Sequence, residues 1–260
     1  MNIIVCIKQV PDTSNVDINK ETNTLIRNGI GSTINPFDVY AVEEGLKIKE
    51  KLGGNLTTIS MGIKSAEKQL KETTALGVDN TVLLNDKLFA GSDTLATAYI
   101  LSMGIKKLKT YDLIICGKQA IDGDTGHIGP SLAEKLNIPH LTCVKKIEEF
   151  NEKFLICQRM TENGYDVVKM YLPALITVVK DINKPRFPTL KGKMKARNSA
   201  STIWDAYDIL ANREKCGLIG SPTKVLTTYI PKRKSKVEFI NGTPKEQAQK
   251  LLDKLRISKK

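Results

Sequence analysis

Residues 2–8 form an Ile/Val-rich run with little alternation, the pattern of a strand buried on both faces and paired in parallel. Gln9–Asp12 leaves it as a loop, and Val16–Ile18 and Thr24–Arg27 read as a small strand pair across a polar turn. Asn35-Pro36-Phe37-Asp38 opens a helix with Ala41, Val42, Gly45, Leu46 and Ile48 on one face and Gly53-Gly54 as its stop. A strand follows over Leu56–Met61, closed by Gly62, then a helix from Lys64 to Leu76 with Gly77 past its end. Thr81–Leu84 is the third strand. The loop from Asn85 to Gly91 leads to Ser92-Asp93-Thr94, which caps a long helix ending near Leu108, and Leu113–Cys116 is the fourth strand. The alternation predicts the α/β class: a doubly wound, mostly parallel sheet covered on both faces.

After Pro139 the rhythm changes. Thr142–Ile147, Lys153–Arg159, Tyr165–Tyr171 and Ala174–Val179 read as strands with short polar turns, expected to be antiparallel and to extend one sheet edge. Asp181–Arg197 combines Pro185, Pro188, a basic cluster and an isolated Leu190. The pattern weakens from Ser199 to Tyr229, Pro231–Lys236 reads as a basic linker, and Thr243–Glu246 opens an amphipathic helix with Ala248, Leu251, Leu252 and Leu255 on one face. Weak periodicity and one apolar helix bury themselves poorly. The expected organisation is therefore an α/β domain over 1–197, with a candidate interaction loop near 184–197, and an arm over 198–260 that packs on another chain. No internal repeat is present.

The chain has 260 residues, enough for one large core with an appendage. No apolar run reaches the roughly 18 residues of a membrane span, and no basic segment precedes the first strand as in a signal peptide; a cytoplasmic protein is expected. The five cysteines are scattered with no CxxC, and there are two histidines, which supports neither a disulfide framework nor a metal site. The formal net charge of +12 is concentrated in Lys180, Lys184, Arg186, Lys191, Lys193, Lys195 and Arg197, and again in Lys232–Lys236. Few aromatics interleave with these residues, so the pattern suits a solvated segment or an acidic protein partner rather than nucleic acid.

The strand Leu113–Cys116 runs into Gly117-Lys118-Gln119-Ala120-Ile121-Asp122-Gly123-Asp124-Thr125-Gly126-His127-Ile128-Gly129-Pro130, and a helix leaves it. Glycines let a backbone approach a ligand, and unpaired N–H groups at a helix start attract anions. Such turns sit at the carboxyl ends of parallel strands, where α/β sheets bind nucleotides. The alternative is an ordinary glycine-rich strand–helix loop.

This stretch, Asn35-Pro36-Phe37, and the run Arg159, Glu162, Asn163, Gly164, Asp166, Leu172, Pro173, Ala174, Leu175, Ile176 and Thr177 together resemble the electron transfer flavoprotein beta (small) subunit family, with Cys157, Asn163 and Asp166 as slight departures. The resemblance runs from the first strand to about Arg197. It implies a Rossmann-like adenine-nucleotide fold without GxGxxG and an obligate heterodimer with a flavin-holding alpha subunit. It also implies either AMP or a second FAD in this chain. Members that resemble this sequence hold FAD there and bifurcate electrons from NADH to ferredoxin and a flavin dehydrogenase of acyl-CoA or lactate type. AMP-binding members end the loop in Asn-Gln-Thr; Gly126, His127 and Ile128 stand at those positions here, which favours the bulkier ligand. Phe89–Thr97, with Gly91, Asp93 and Thr94, looks like the bifurcating branch, although Ser92-Asp93-Thr94 is also a plain helix cap.

Carried over by position, the resemblance implies that Cys6, Asn35 and Met61 border the adenine half. Lys118, Gln119, Ala120, Gly123, Asp124, Thr125 and the rest of Gly117–Gly129 would wrap ribose and diphosphate. Asp122 would meet a ribose hydroxyl or cap backbone, and His127 a flavin or phosphate oxygen, or simply the surface. Pro36 and Phe37 would lie near the alpha-subunit flavin. Leu190 with Lys191 would form the loop that meets the partner dehydrogenase. No catalytic acid or base is expected. The alternatives are a simple electron carrier with AMP as structural ligand, and a nucleotide-binding module resembling universal stress proteins. Leu190, the arm and the 159–177 hairpin argue against the latter.

Overall fold

The computed structural model describes residues 1–12, 18–19, 24–25, 31–227 and 238–257. The strands are β1 (Asn2–Cys6), β2 (Gln9–Pro11), β3 (Ile18–Asn19), β4 (Thr24–Leu25), β5 (Ser32–Ile34), β6 (Asn55–Met61), β7 (Asn80–Leu84), β8 (Leu113–Gly117), β9 (His140–Phe150), β10 (Phe154–Thr161), β11 (Gly164–Tyr171), β12 (Ala174–Val178) and β13 (Thr202–Trp204). The helices are α1 (Pro36–Leu52), α2 (Glu67–Leu76), α3 (Thr94–Leu108), α4 (Ile128–Leu136), α5 (Leu190–Asn198) and α6 (Pro244–Ile257).

Among the described residues, nine strands form one sheet in the order β11-β10-β9-β12-β8-β1-β6-β7-β13. β1 pairs in parallel with both β6 and β8, and the parallel pairing continues through β7 and β12. Buried Ala41, Val42, Leu46 and Ile48 of α1 and Leu70 of α2 join one core cluster. Ile100, Leu101 and Ile105 of α3 and Leu132, Ala133 and Leu136 of α4 join the other. Helices therefore cover both faces, and the central strands are buried on both sides, as their unbroken apolar runs require.

Three elements differ from the sequence reading. Gln9–Pro11 is not a loop: it pairs antiparallel with β5, and Val10 is buried. Ala174–Val178 is not an antiparallel edge strand. It inserts between β8 and β9, parallel to both, and all five of its residues are buried. A fully buried run without alternation belongs inside a parallel sheet; only β9–β10–β11 form the antiparallel extension. Residues past 197 continue the body: β13 adds in parallel to β7 at the other edge, and the first compact unit spans Met1–Leu226. The strand pair near residues 18–25 pairs as expected at Ile18↔Leu25, whereas Val16, Asp17, Ile26, Arg27 and the 231–236 linker lie outside the described residues.

The second unit, Thr227–Lys260, holds α6. The Thr243 N–H donates to Glu246 Oε2 at 2.8 Å, a carboxylate three residues into the helix closing back on its cap. Leu251 and Leu252 are about half exposed. No helix among the described residues is long and apolar enough to cross a membrane.

Candidate functional site

The chain passes from β1 through β6 to β7 on one side and returns to β8 on the other, so β1 is where the strand order reverses. Open α/β sheets bind ligands outside the carboxyl ends of the strands at such a point. A cavity of about 600 Å³ lies there, within the range of small-molecule sites. Lys8 and Gln9 follow β1 into it, Met61 and Gly62 end β6, Asn85 and Asp86 follow β7, and Phe89–Ser92 lead into α3. Asp122 reaches in from the loop after β8 and pairs with Lys8 Nζ at 2.7 Å. Met61 and Phe89 supply apolar wall beside these polar groups.

The walls are hydrogen-bonded together. Asn85 Nδ2 donates to the Gly62 carbonyl at 2.8 Å, tying the exits of β7 and β6. Asp86 accepts from the Leu88 and Ala206 N–H groups at 2.9 and 3.0 Å. Burial pushes the Asp86 carboxyl up, but those N–H groups and Arg213 outweigh it and hold the acid below its ordinary range.

At the start of α3, Asp93 Oδ1 accepts from the N–H groups of Leu95 and Ala96 at 3.0 and 3.1 Å, and Oδ2 accepts from the N–H and hydroxyl of Thr223 at 3.1 and 2.7 Å. Burial raises the Asp93 carboxyl and these donors overcome it, leaving it lowered. Asp93 is thus a helix cap and an anchor for residues near 223. Ser92 Oγ accepts from the Gly217 N–H at 3.1 Å, and Gly91, at φ +73°, has Leu218 where a Cβ would stand. Gly91 and Ser92 face the cavity; Thr94 is the first residue of α3.

The glycine-rich stretch is held from below. Asn35 is buried; its Nδ2 donates to the Gln119 carbonyl at 2.9 Å and to Asp38 Oδ1 at 3.0 Å, and its Oδ1 accepts from the Ile121 N–H at 3.1 Å. Asp38 Oδ2 accepts from the Lys8 N–H at 2.7 Å, and the Gly117 N–H also donates to this carboxyl. Burial raises Asp38 to about 7 against the pull of these donors and the Lys8 charge. A Cβ on Gly117 would stand 2.3 Å from Asp38 Oδ1, and one on Gly129 would stand 2.2 Å from Thr177 Cγ2. Both glycines serve close packing, of α1 on β8 and of α4 on β12. Gly126, at φ +66°, and Asp124, at φ +53°, both take the left-handed backbone in this loop, the conformation that favours glycine.

The structure therefore brings Met61, Gly91 and Asp122 together on one cavity. Cys6 and Cys116, at the ends of β1 and β8, are buried and do not line it. Phe37 is half-buried against Gly117, and Pro36 is exposed at the first turn of α1. Lys118 donates its N–H to the Val178 carbonyl at 2.9 Å; Gln119 Nε2 bonds Asp124, whose N–H donates to the Ala120 carbonyl at 2.8 Å. Gly123, Thr125 and His127 are exposed, and Ile128 begins α4. Sequence reasoning missed Lys8, Asn85 and Asp86 as site residues. Each stands within two residues of the end of a buried parallel strand, the one signal that marks them.

Leu190 is 78% exposed and starts α5, with Lys191 exposed beside it; Thr189 Oγ1 accepts from the Gly192 N–H at 3.0 Å. The approach to α5 is fixed on α1. Arg186 Nε and Nη2 donate to the Glu43 carboxylate at 2.9 and 3.0 Å, Arg186 also pairs with Glu50, and Asn183 Nδ2 donates to Glu44 Oε2 at 2.8 Å.

The electron transfer flavoprotein domain family model matches residues 22–209. The chain is 47% identical over 256 residues, 98% of each chain, to the electron transfer flavoprotein subunit beta of Thermoanaerobacterium thermosaccharolyticum. It is 43% identical over 258 residues, again 98% of each chain, to the caffeyl-CoA reductase-Etf complex subunit CarD of Acetobacterium woodii. To the acryloyl-CoA reductase electron transfer subunit gamma of Anaerotignum propionicum it is 40% identical over 263 residues, 98% of each chain.

Proposed function

Since this chain belongs to the electron transfer flavoprotein family as a beta subunit, we propose that it holds FAD in the crevice at the carboxyl ends of β1, β6 and β7. In complex with its alpha subunit it would take electrons from NADH and divide them between ferredoxin and a partner flavin dehydrogenase of acyl-CoA or lactate type. The observation that carries this reading is the 600 Å³ cavity at the strand-order reversal, walled by Gly91 and Ser92 rather than confined to the loop after β8. That breadth suits a ligand longer than a mononucleotide. The names of the relatives from caffeyl-CoA and acryloyl-CoA reductase complexes favour a CoA-ester reductase as the final partner.

The residues fit a dinucleotide. Met61 and Phe89 offer apolar wall to a flat ring, Asn85 and Ser92 line the polar side, and Lys8 is the cation on the rim. A flavin, when bound, supplies the one- and two-electron chemistry. The chain's own task is to bind, orient and keep water out. The Lys8–Asp122 pair spans β1 and the loop after β8 at the rim, and it offers both an ammonium for a phosphate and a carboxylate oxygen for a ribose hydroxyl. The exposed Leu190, ringed by lysines, would dock the dehydrogenase as a small apolar anchor with a charged border. The arm and α6 would pack on the alpha subunit. The reading places the protein in the cytoplasm.

The test is the nucleotide released by acid from the purified heterodimer. Two FAD per heterodimer without AMP is the expected result. One FAD with one AMP would make the chain the structural half of a simple electron carrier, the second reading that the family offers.

A further inference from the structure

The geometry points to Ser221 and Thr223 as specificity-determining residues: together they clamp the cavity wall that leads into α3, and so set the preference for a dinucleotide over a mononucleotide. This rests on the nucleotide reading above. Neither residue lines the cavity, whose walls come from residues between 8 and 122. They act through Ser92 and Asp93.

One stretch of chain fastens the whole wall. The Asn85 N–H donates to the Trp204 carbonyl at 2.9 Å, and Asp86 Oδ2 accepts from the Ala206 N–H at 3.0 Å. Farther along the wall, Ser92 Oγ accepts from the Gly217 N–H at 3.1 Å. The Asp93 N–H donates to Ser221 Oγ at 2.8 Å, and the Ser221 hydroxyl donates back to the Gly217 carbonyl at 2.6 Å. Asp93 Oδ2 takes both the N–H and the hydroxyl of Thr223, at 3.1 and 2.7 Å. Backbone N–H groups outside helices and strands still need acceptors, and Ala206, Gly217 and Thr223 find theirs on the wall. Packing is equally close. A Cβ on Gly217 would stand 2.2 Å from the Leu88 carbonyl oxygen and 2.9 Å from that of Ala90. The stretch is itself seated on the body, since Ala206, Ile209 and Cys216 are buried in the core cluster that α3 and α4 share.

The cavity has two separately anchored parts. The loop after β8 reaches it through Asp122, which pairs with Lys8. Asp86 and Phe89–Ser92 make the wall that the clamp holds. A mononucleotide held at the first part gains nothing from the second, whereas a dinucleotide uses both. A wall that opens part of the time weakens a ligand that needs it by the fraction of time it is closed, and leaves the other ligand untouched. The clamp therefore acts on selectivity.

The test uses the heterodimer with its alpha subunit, freed of the nucleotide held by this chain and titrated with FAD and, separately, with AMP. Thr223→Val removes the hydroxyl tie and keeps the shape of the side chain; Thr223 is exposed, so the variant folds. Adding Ser221→Ala removes both hydroxyls of the clamp. Thr223→Ser keeps the hydroxyl, and Asn183→Ala is a control that removes two hydrogen bonds to α1, outside the clamp. The dissociation constant for FAD should rise about fivefold in Thr223→Val and roughly 30-fold in the double variant, one net hydrogen bond for each hydroxyl. That for AMP should stay within about twofold throughout, a margin well below one net hydrogen bond, as should both constants in Thr223→Ser and Asn183→Ala. Amide hydrogen exchange over residues 89–96 of the nucleotide-free heterodimer should accelerate in the two clamp variants alone. FAD and AMP weakened together would reduce the clamp to general stability and overturn the proposal, and FAD binding equal to wild type in the double variant would overturn it as well. Weaker FAD with unchanged exchange would make the two hydroxyls direct ligand contacts, against the clamp. A wild type that takes up no FAD fails earlier, at the dinucleotide reading, and overturns the proposal with it.

Discussion

At the scale of single residues, buried polar groups govern the site. Asp38 titrates near 7 because burial outweighs the donors of Asn35, Lys8 and Gly117. Its folded value lies above the unfolded one. The folded protein thus binds the extra proton between about pH 4 and pH 7, and the contribution to stability, full below pH 4, is lost as pH rises through 7. The shift corresponds to roughly 4 kcal/mol at most. Asp86 and Asp93, both lowered, act in the opposite sense and lose their contribution as pH falls. Comparing wild type with Asp38→Asn isolates the first effect: urea unfolding at pH 5 and pH 8 should show a drop for wild type that the variant lacks, on top of a uniform loss from the altered hydrogen bonds. At the loop's end, Gly126 sits at φ +66°, a conformation that asparagine tolerates better than other side chains. The double variant Gly126→Asn, Ile128→Thr should therefore fold, lose FAD and favour AMP, read as nucleotide released per heterodimer. Unchanged FAD content would show that backbone openness at 126–128 does not select the ligand.

At the scale of elements, legibility followed burial. Strands β1, β6, β7 and β8 and helices α1 to α4 announce themselves because a two-face core forces unbroken apolar strands and one-sided helices. Ala174–Val178 carries the same fully buried signature, but its place directly after a hairpin made it read as one more antiparallel strand. Sequence neighbourhood is not sheet neighbourhood, and β12 is separated from β11 by both β9 and β10. β13 is three residues long, with two of them exposed, and leaves almost no pattern to read. Buried Glu43 and Glu44 in α1 were equally silent; their reason is Arg186 and Asn183, some 140 residues away in the chain. That network predicts a local effect. Arg186→Ala leaves Glu43 buried without its guanidinium, which should cost about 3 kcal/mol in urea unfolding, and it frees the segment that leads into α5. Limited proteolysis should then cut near Phe187, itself 92% exposed, faster than in wild type, while β6 and β8 stay protected.

At the scale of the whole molecule, the candidate site was only half legible. Glycine spacing located the loop after β8, yet Gly117 and Gly129 owe their identity to packing on Asp38 and Thr177. The cavity itself is assembled from the exits of three strands that are neighbours in the sheet and distant in sequence, so Lys8, Asn85 and Asp86 have no motif in common. The division of the chain makes one more expectation concrete. The first unit, Met1–Leu226, contains both core clusters and the cavity, whereas the second contributes α6 with Leu251 and Leu252 about half exposed. An apolar stripe of that kind gains little from the chain that carries it and much from a partner. A chain ending at Leu226 should keep its far-ultraviolet circular dichroism per residue, apart from the helix removed, and unfold within a few degrees of the full chain. Mixed with the alpha subunit and run on a sizing column, it should form far less heterodimer than the full chain does. Undiminished heterodimer from the truncated chain would mean that the first unit alone makes the partner contact. Loss of the unfolding transition would mean that the body depends on the arm. Neither outcome is expected, because Leu251 and Leu252 of α6 keep about half of their surface open to a partner.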